Sequence, residues 1–263
     1  MKHNYIVKLS ALGVVCSLVL RVLQLLILTD ADTGFGKVGS PYSGLNIAVY
    51  LMTALMAAGI FVMTSFFSKR QPVAAPDTTI SPGLSVFSFI MAVYMLCLTA
   101  VHMLIGGGIS NPYATLRLLL LLLSAIFFIF YGLSGFGTIK CPKALTVAPL
   151  ILAGYDLVAA FISYTGMANI SDNVYECIFL CLGLLFFLLH GKIISSVDLR
   201  RSARLLFPVT YLAVFFGFLQ SIPPILVAVL GGANMLHSSL QASISAIFPT
   251  IYMLLFTSAT YKK

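Results

Sequence analysis

Eight times in 263 residues the chain runs for close to twenty residues almost without charge, and this recurrence constrains the fold more than any motif does. A helix rises about 1.5 Å per residue, so about 20 apolar residues cross a hydrocarbon core about 30 Å thick. The stretches fall near Ile6 to Leu28, Leu45 to Phe67, Gly83 to Leu104, Ala114 to Phe136, Leu145 to Thr165, Val174 to Leu189, Leu205 to Leu230 and Leu240 to Ala259. Between them 60% of all residues are hydrophobic and 8% are charged. Soluble domains are about 45–50% apolar and about 25% charged, so a water-soluble globule, a disordered chain and a secreted disulfide scaffold are all excluded. A membrane β-barrel is excluded separately. Its strands alternate apolar and polar residues, whereas Leu118 to Leu123 is an unbroken run of leucine. The fold class expected is therefore all-α: a polytopic bundle of about eight transmembrane helices, forming a single transmembrane domain over 1–263.

Charge orients the bundle. Counted alternately from the N-terminus, the loops of one side hold Lys2, Lys8, Lys69, Arg70, Lys140, Lys143, Lys192, Arg200, Arg201, Arg204, Lys262 and Lys263. The other side has the loop lysine Lys37 beside Asp30, Asp32 and Asp172. Basic loops stay in the cytoplasm, which places both termini there and the protein in the cell membrane as a multi-pass chain. One helix more or fewer would scramble this separation. The net charge of +8 then needs no nucleic-acid partner. It marks a basic fringe against anionic lipid. The first stretch is too long for the apolar core of a cleaved signal and is interrupted by Arg21, so it is expected to remain as a helix.

Motifs of soluble catalysis are missing. No G-x-x-x-x-G-K-[ST], G-x-G-x-x-G after a strand or H-E-x-x-H occurs. Cys177 and Cys181 share a helix face, but no third ligand completes a tetrahedral site, so no metal and no cofactor is expected. Gly106-Gly107-Gly108 reads as a turn at a helix end rather than a phosphate loop.

The halves resemble one another weakly. Ser124-Ala125-Ile126-Phe127 with Tyr131 recurs as Ser245-Ala246-Ile247-Phe248 with Tyr252; Gly106-Gly107-Gly108 is matched by Gly231-Gly232, and Thr33-Gly34 by Thr165-Gly166. Two parallel repeats, 1–140 and 141–263, would account for these pairs.

A charge at the centre of a membrane helix costs about 2.5–3.5 kcal/mol on insertion scales, so ionisable residues within the spans carry most of the information. They are Arg21, Arg117, Asp156 and Glu176, accompanied by Gln24, His102, Gln220 and Gln241. All lie near the midplane or in the outer half, and helical spacing gathers them into stripes: Ser17, Arg21 and Gln24; Arg117, Ser124 and Tyr131; Ser238, Gln241, Ser245 and Tyr252. Turned inward, the stripes form one polar cluster in which Arg21 or Arg117 neutralises Asp156. The same residues suit an interhelical ion pair that only locks the bundle, or a pocket open to the extracytoplasmic side. The pocket reading predicts a transporter or solute-binding permease for a small solute, one with a carboxylate or phosphate where arginine is the partner. Pro223-Pro224 is expected to bend the seventh helix as its moving part. The alternatives are a non-catalytic membrane subunit of a larger complex, engaging a separate ATPase through the basic segment Lys192 to Arg204, and an intramembrane lipid-modifying enzyme. The last is weakest, because no nucleophile and base share a helical spacing.

Overall fold

The computed structural model describes residues 3–30, 36–37, 39, 41–70, 81–105, 112–137, 139–164, 171–232 and 240–261. Gly106-Gly107-Gly108, Thr33-Gly34, Thr165-Gly166, Ser238 and the terminal Lys262-Lys263 lie outside them. Among the described residues eight α-helices form: α1 (His3–Leu23), α2 (Tyr42–Arg70), α3 (Pro82–Ile105), α4 (Pro112–Gly135), α5 (Val147–Tyr164), α6 (Ser171–Ile194), α7 (Leu199–Val229) and α8 (Leu240–Tyr261). All eight are long and apolar enough to cross a membrane, and among the described residues there is no strand beyond one isolated bridge, Thr29 to Gly36. The protein is an all-α multi-pass membrane bundle.

Local chemistry sets the helix ends. Pro82 and Pro112 open α3 and α4, where a missing N–H costs nothing. Ser81 precedes Pro82 and accepts a hydrogen bond on its Oγ from the Leu84 N–H at 3.4 Å. Gly231 closes α7 at φ +88°, and the Gly232 N–H reaches back to the Val227 carbonyl at 2.9 Å. Within the spans, hydroxyls bond to the carbonyl one turn back, as in Thr53 to Val49, Thr64 to Ile60, Ser88 to Leu84 and Thr250 to Ala246. Such side chains satisfy their donor within their own helix.

Several ends shift by a few residues, α6 running on to Ile194 rather than ending near Leu189, and three helices depart in kind. α1 passes at Gln24–Leu28 into a short π-helix in which Gln24 is buried. α5 is preceded by a 3₁₀ turn at Lys143–Thr146. α7 begins at Leu199 rather than near Leu205, so Arg200, Arg201 and Arg204 lie on its first turns and not in a loop. Arginine is a good helix former, and a helix leaving the hydrocarbon has no reason to stop at its edge. α7 also runs as an unbroken helix through Pro208, Pro223 and Pro224.

Packing arranges α3 to α8 as a ring. Each neighbours the next in sequence, and α8 returns to α3 to close the circuit. α1 and α2 pair with each other and dock on the outside, chiefly against α7. This makes α7 the most enclosed helix, with 61% of its most apolar stretch buried against 22% for α2 and α5. Large apolar side chains stay exposed elsewhere, such as Leu12, Leu55, Val93, Leu119 and Phe161. A bilayer, not water, is the solvent for those faces. The exposed bases Lys8, Lys140, Lys143, Arg200, Arg201 and Arg204 gather at the end of the bundle that holds the termini; at the opposite end the described loop base is Lys37.

Candidate binding cavity

The ring of six helices encloses a cavity of about 650 Å³. Its lining reaches the helix ends opposite the termini. Measured from those ends at about 1.5 Å per residue, Gln241 and His102 lie within about 5 Å, Arg117 and Glu176 at about 8 Å, and Asp156 and Gln220 at about 12–14 Å. Deeper, the wall turns mainly apolar: Met95, Leu121, Leu152, Pro149, Phe187 and Met253 carry it to about 24 Å, with Tyr94, bonded to Ser245, as the polar side chain among them. The cavity is thus polar in its outer tier and hydrocarbon-like below.

Six of the eight residues expected to form one polar cluster line this space: His102, Arg117, Asp156, Glu176, Gln220 and Gln241. They come from six helices, one from each member of the ring. The Arg117 Nε–H donates to Asp156 Oδ1 at 2.9 Å, joining α4 to α5. Both side chains remain partly accessible, at 37% and 27%, so this ion pair faces the cavity and is not sealed in the protein. Arg117 has no other partner among the described residues, which leaves both terminal amino groups of the guanidinium unused. Glu176 accepts the Tyr164 hydroxyl on Oε2 at 2.6 Å, tying α6 to α5, and Tyr155 donates to the Tyr113 carbonyl at 2.9 Å. Gln220 is 3% exposed, and its amide Nε2 finds no acceptor among the described residues. A buried donor left so costs about 1–3 kcal/mol unless water or a ligand satisfies it.

Arg21 and Gln24 do not join them. Arg21, 2% exposed, donates through Nη1 to Gln24 Oε1 at 2.6 Å, and its guanidinium lies 4.7 Å above the Tyr175 ring. Gln24 in turn donates to Asn46 Oδ1 at 3.1 Å. This second polar group fastens the α1–α2 pair onto the ring. Of the two arginines considered as partners for Asp156, Arg117 holds it.

Beneath the apolar floor the ring is filled by aromatic side chains around His190. His190 is fully buried, and its Nε2 lies 2.9 Å from the Tyr252 hydroxyl. The rings of Phe127, Tyr131, Phe186, Phe187 and Phe256 surround it at centroid distances from 4.3 to 6.0 Å. This histidine lies three positions along α6 from Phe187 on the cavity floor, about one turn. Tyr131 and Tyr252, matched in the two halves of the sequence, thus converge on one residue. The spacing in the sequence carries a signal of this plug: Phe127 with Tyr131, Phe186 with His190 and Tyr252 with Phe256 are each four apart, one face of a helix. Close approach of α7 and α8 occurs beside the cavity, where Gly217 faces Thr250 and Phe179 without room for a Cβ.

No protein-family profile, curated protein or solved structure matches the chain. Function therefore rests on the cavity itself. Among the described residues no group of histidine, cysteine, aspartate and glutamate is placed to hold a metal ion. Nor does a serine or cysteine in the lining stand in a hydrogen bond to a base.

Proposed function

We propose that this protein is a transporter or solute-binding permease of the cell membrane, with the six-helix cavity as its outward-facing binding site. The supporting observation is the asymmetry of the ring: polar and accessible over its outer tier, closed by the aromatic plug around His190 toward the terminal end. A carrier in one of its two end states has this form, because alternating access requires one side closed while the other is reached. Both termini are taken as cytoplasmic, since the exposed bases gather at that end.

Alternating access can be read by thiol labelling. In a variant lacking the five native cysteines, Ser245→Cys reports on the cavity and Ser88→Cys, fully buried on α3 beside the Tyr252 hydroxyl, on the plug. An impermeant thiol reagent should modify the first from outside. The second should react slowly, and only from the cytoplasmic face in inverted vesicles, as the plug opens. Complete protection of Ser88→Cys from both faces, with Ser245→Cys reactive, would leave a binding protein that does not transport.

A further inference from the structure

We infer that the cavity takes a single-chain amphiphile with a carboxylate or phosphate head, the head on Arg117 and the chain in the apolar trough that ends at Phe187. This deepens the carrier reading and rests on it. Arg117 gives Asp156 only its Nε–H, so the fork of its two terminal amino groups remains for a planar or tetrahedral oxyanion, which a fork grips by two parallel hydrogen bonds. Glu176, the second acid of the wall, already accepts the Tyr164 hydroxyl. A second unmet donor, Gln220 Nε2, lies deeper and on α7, where it can reach an oxygen near the neck of the same ligand. Below that depth the side chains of the lining are apolar apart from Tyr94, whose hydroxyl already has Ser245 as a partner. Met95, Leu121, Leu152, Phe187 and Met253 line about 10 Å of the remaining depth, and water confined among them would lack partners. A small hydrophilic anion would leave this part of the cavity unused, and a neutral hydrocarbon would leave the arginine fork and the amide unpaired. An amphiphilic anion fits both tiers.

The chain contains no tryptophan, so Phe187→Trp creates a single emitter at the trough's end, with Leu180→Trp as a second reporter higher on the same wall. In phosphatidylcholine nanodiscs, an alkyl carboxylate brominated near its chain end should quench this emission saturably. Unlabelled n-alkyl carboxylates and n-alkyl phosphates should compete, gaining about fourfold in affinity per added methylene, referred to free aqueous concentration, until the trough is full. Arg117→Gln should weaken binding about tenfold or more, and Arg117→Lys less. Because Arg117→Gln strands Asp156, the pair variant Arg117→Gln with Asp156→Asn serves as the folded control and should bind as weakly.

Equal competition by inorganic phosphate or acetate would assign the site to small free anions and overturn the proposal. So would equal quenching by brominated alkylammonium or alkyl alcohol, full affinity in the charge-neutral pair variant, or quenching only by two-chain phospholipid. Failure here, with Ser88→Cys still becoming reactive, leaves a carrier of some other solute. Binding without any reactivity of Ser88→Cys leaves an amphiphile-binding protein that is not a carrier.

Discussion

Arg117 and Asp156 meet across two helices at the wall of a cavity, and their partial exposure decides what the pair is worth. Sealed pairs cost about 3–5 kcal/mol when one partner is removed, whereas exposed pairs couple by about 1 kcal/mol or less. A double-mutant cycle on Arg117→Gln and Asp156→Asn, read by thermal unfolding in detergent, should give a coupling of about 1 kcal/mol. The same cycle on Arg21→Gln and Asp156→Asn should be additive, since Arg21 belongs to the group with Gln24, Asn46 and Tyr175. Coupling in the second cycle would contradict the separation of the two polar groups. At His190 the stakes are higher. Tyr252→Phe removes the partner of a fully buried ring nitrogen and should destabilise by about 1–3 kcal/mol, with no compensating water in so apolar a setting. Charged residues were legible in the sequence because their insertion cost makes each one rare. Rarity says that Arg21 and Arg117 both need partners, and it cannot say that they need different ones. His190 reads from sequence as an interfacial or hydrogen-bonded histidine and not as the centre of a plug, for the opposite reason: its neighbours are phenylalanines, and Phe127, fully buried, reads no differently from Phe161, 65% exposed to lipid.

Helices in this chain were readable in number and approximate length but not in facing. In water an apolar stripe marks the buried side of a helix. In a bilayer both sides are apolar, so Leu119 and Leu121 on α4, exposed and buried respectively, cannot be told apart by hydropathy. What fixes facing here is close approach. Gly217 on α7 lets Thr250 of α8 and Phe179 of α6 pack against bare backbone, and a Cβ at that position would overlap Thr250 Oγ1 and stand 2.8 Å from Phe179 Cε2. Gly217→Ala should therefore destabilise by about 1–3 kcal/mol, and Thr250→Ala in the same chain should recover part of the loss. Unchanged stability of Gly217→Ala would mean that α7 and α8 are spaced more widely than described. The early start of α7 has its own anchor points: Ser68 at the end of α2 donates to the Arg204 carbonyl at 2.6 Å, and Tyr261 of α8 donates to the Ala203 carbonyl. These bonds explain why three arginines sit on a helix that composition alone would begin later.

Across the whole molecule, one side can be tested with a residue already present. Cys141 lies between α4 and α5 at the end that holds the termini, half-buried, and burial pushes its thiol up to about 11. With Cys141 as the sole cysteine, alkylation should occur from the cytoplasmic face only. Because the thiolate is the reactive form and its fraction grows as pH rises toward that value, the rate should climb about tenfold per unit from about pH 7 to about pH 10. A plateau near pH 9 would indicate an ordinary, open thiol. The ring itself was not legible, because its closure depends on contacts between α3 and α8, more than a hundred residues apart. The docking of α1 and α2 on α7 also has a consequence for how the protein is made. At a ribosomal rate of about 5–20 residues per second, Tyr175 follows Arg21 out of the peptidyl-transferase centre by some 8–30 seconds, and α7 comes later still. Through that interval the first hairpin has to hold a guanidinium in the translocon or the lipid with only Gln24, Asn46 and its other near neighbours in the chain beside it. Insertion is thus the stage at which a defect at Gln24 or Asn46 would tell most, well before any solute is bound.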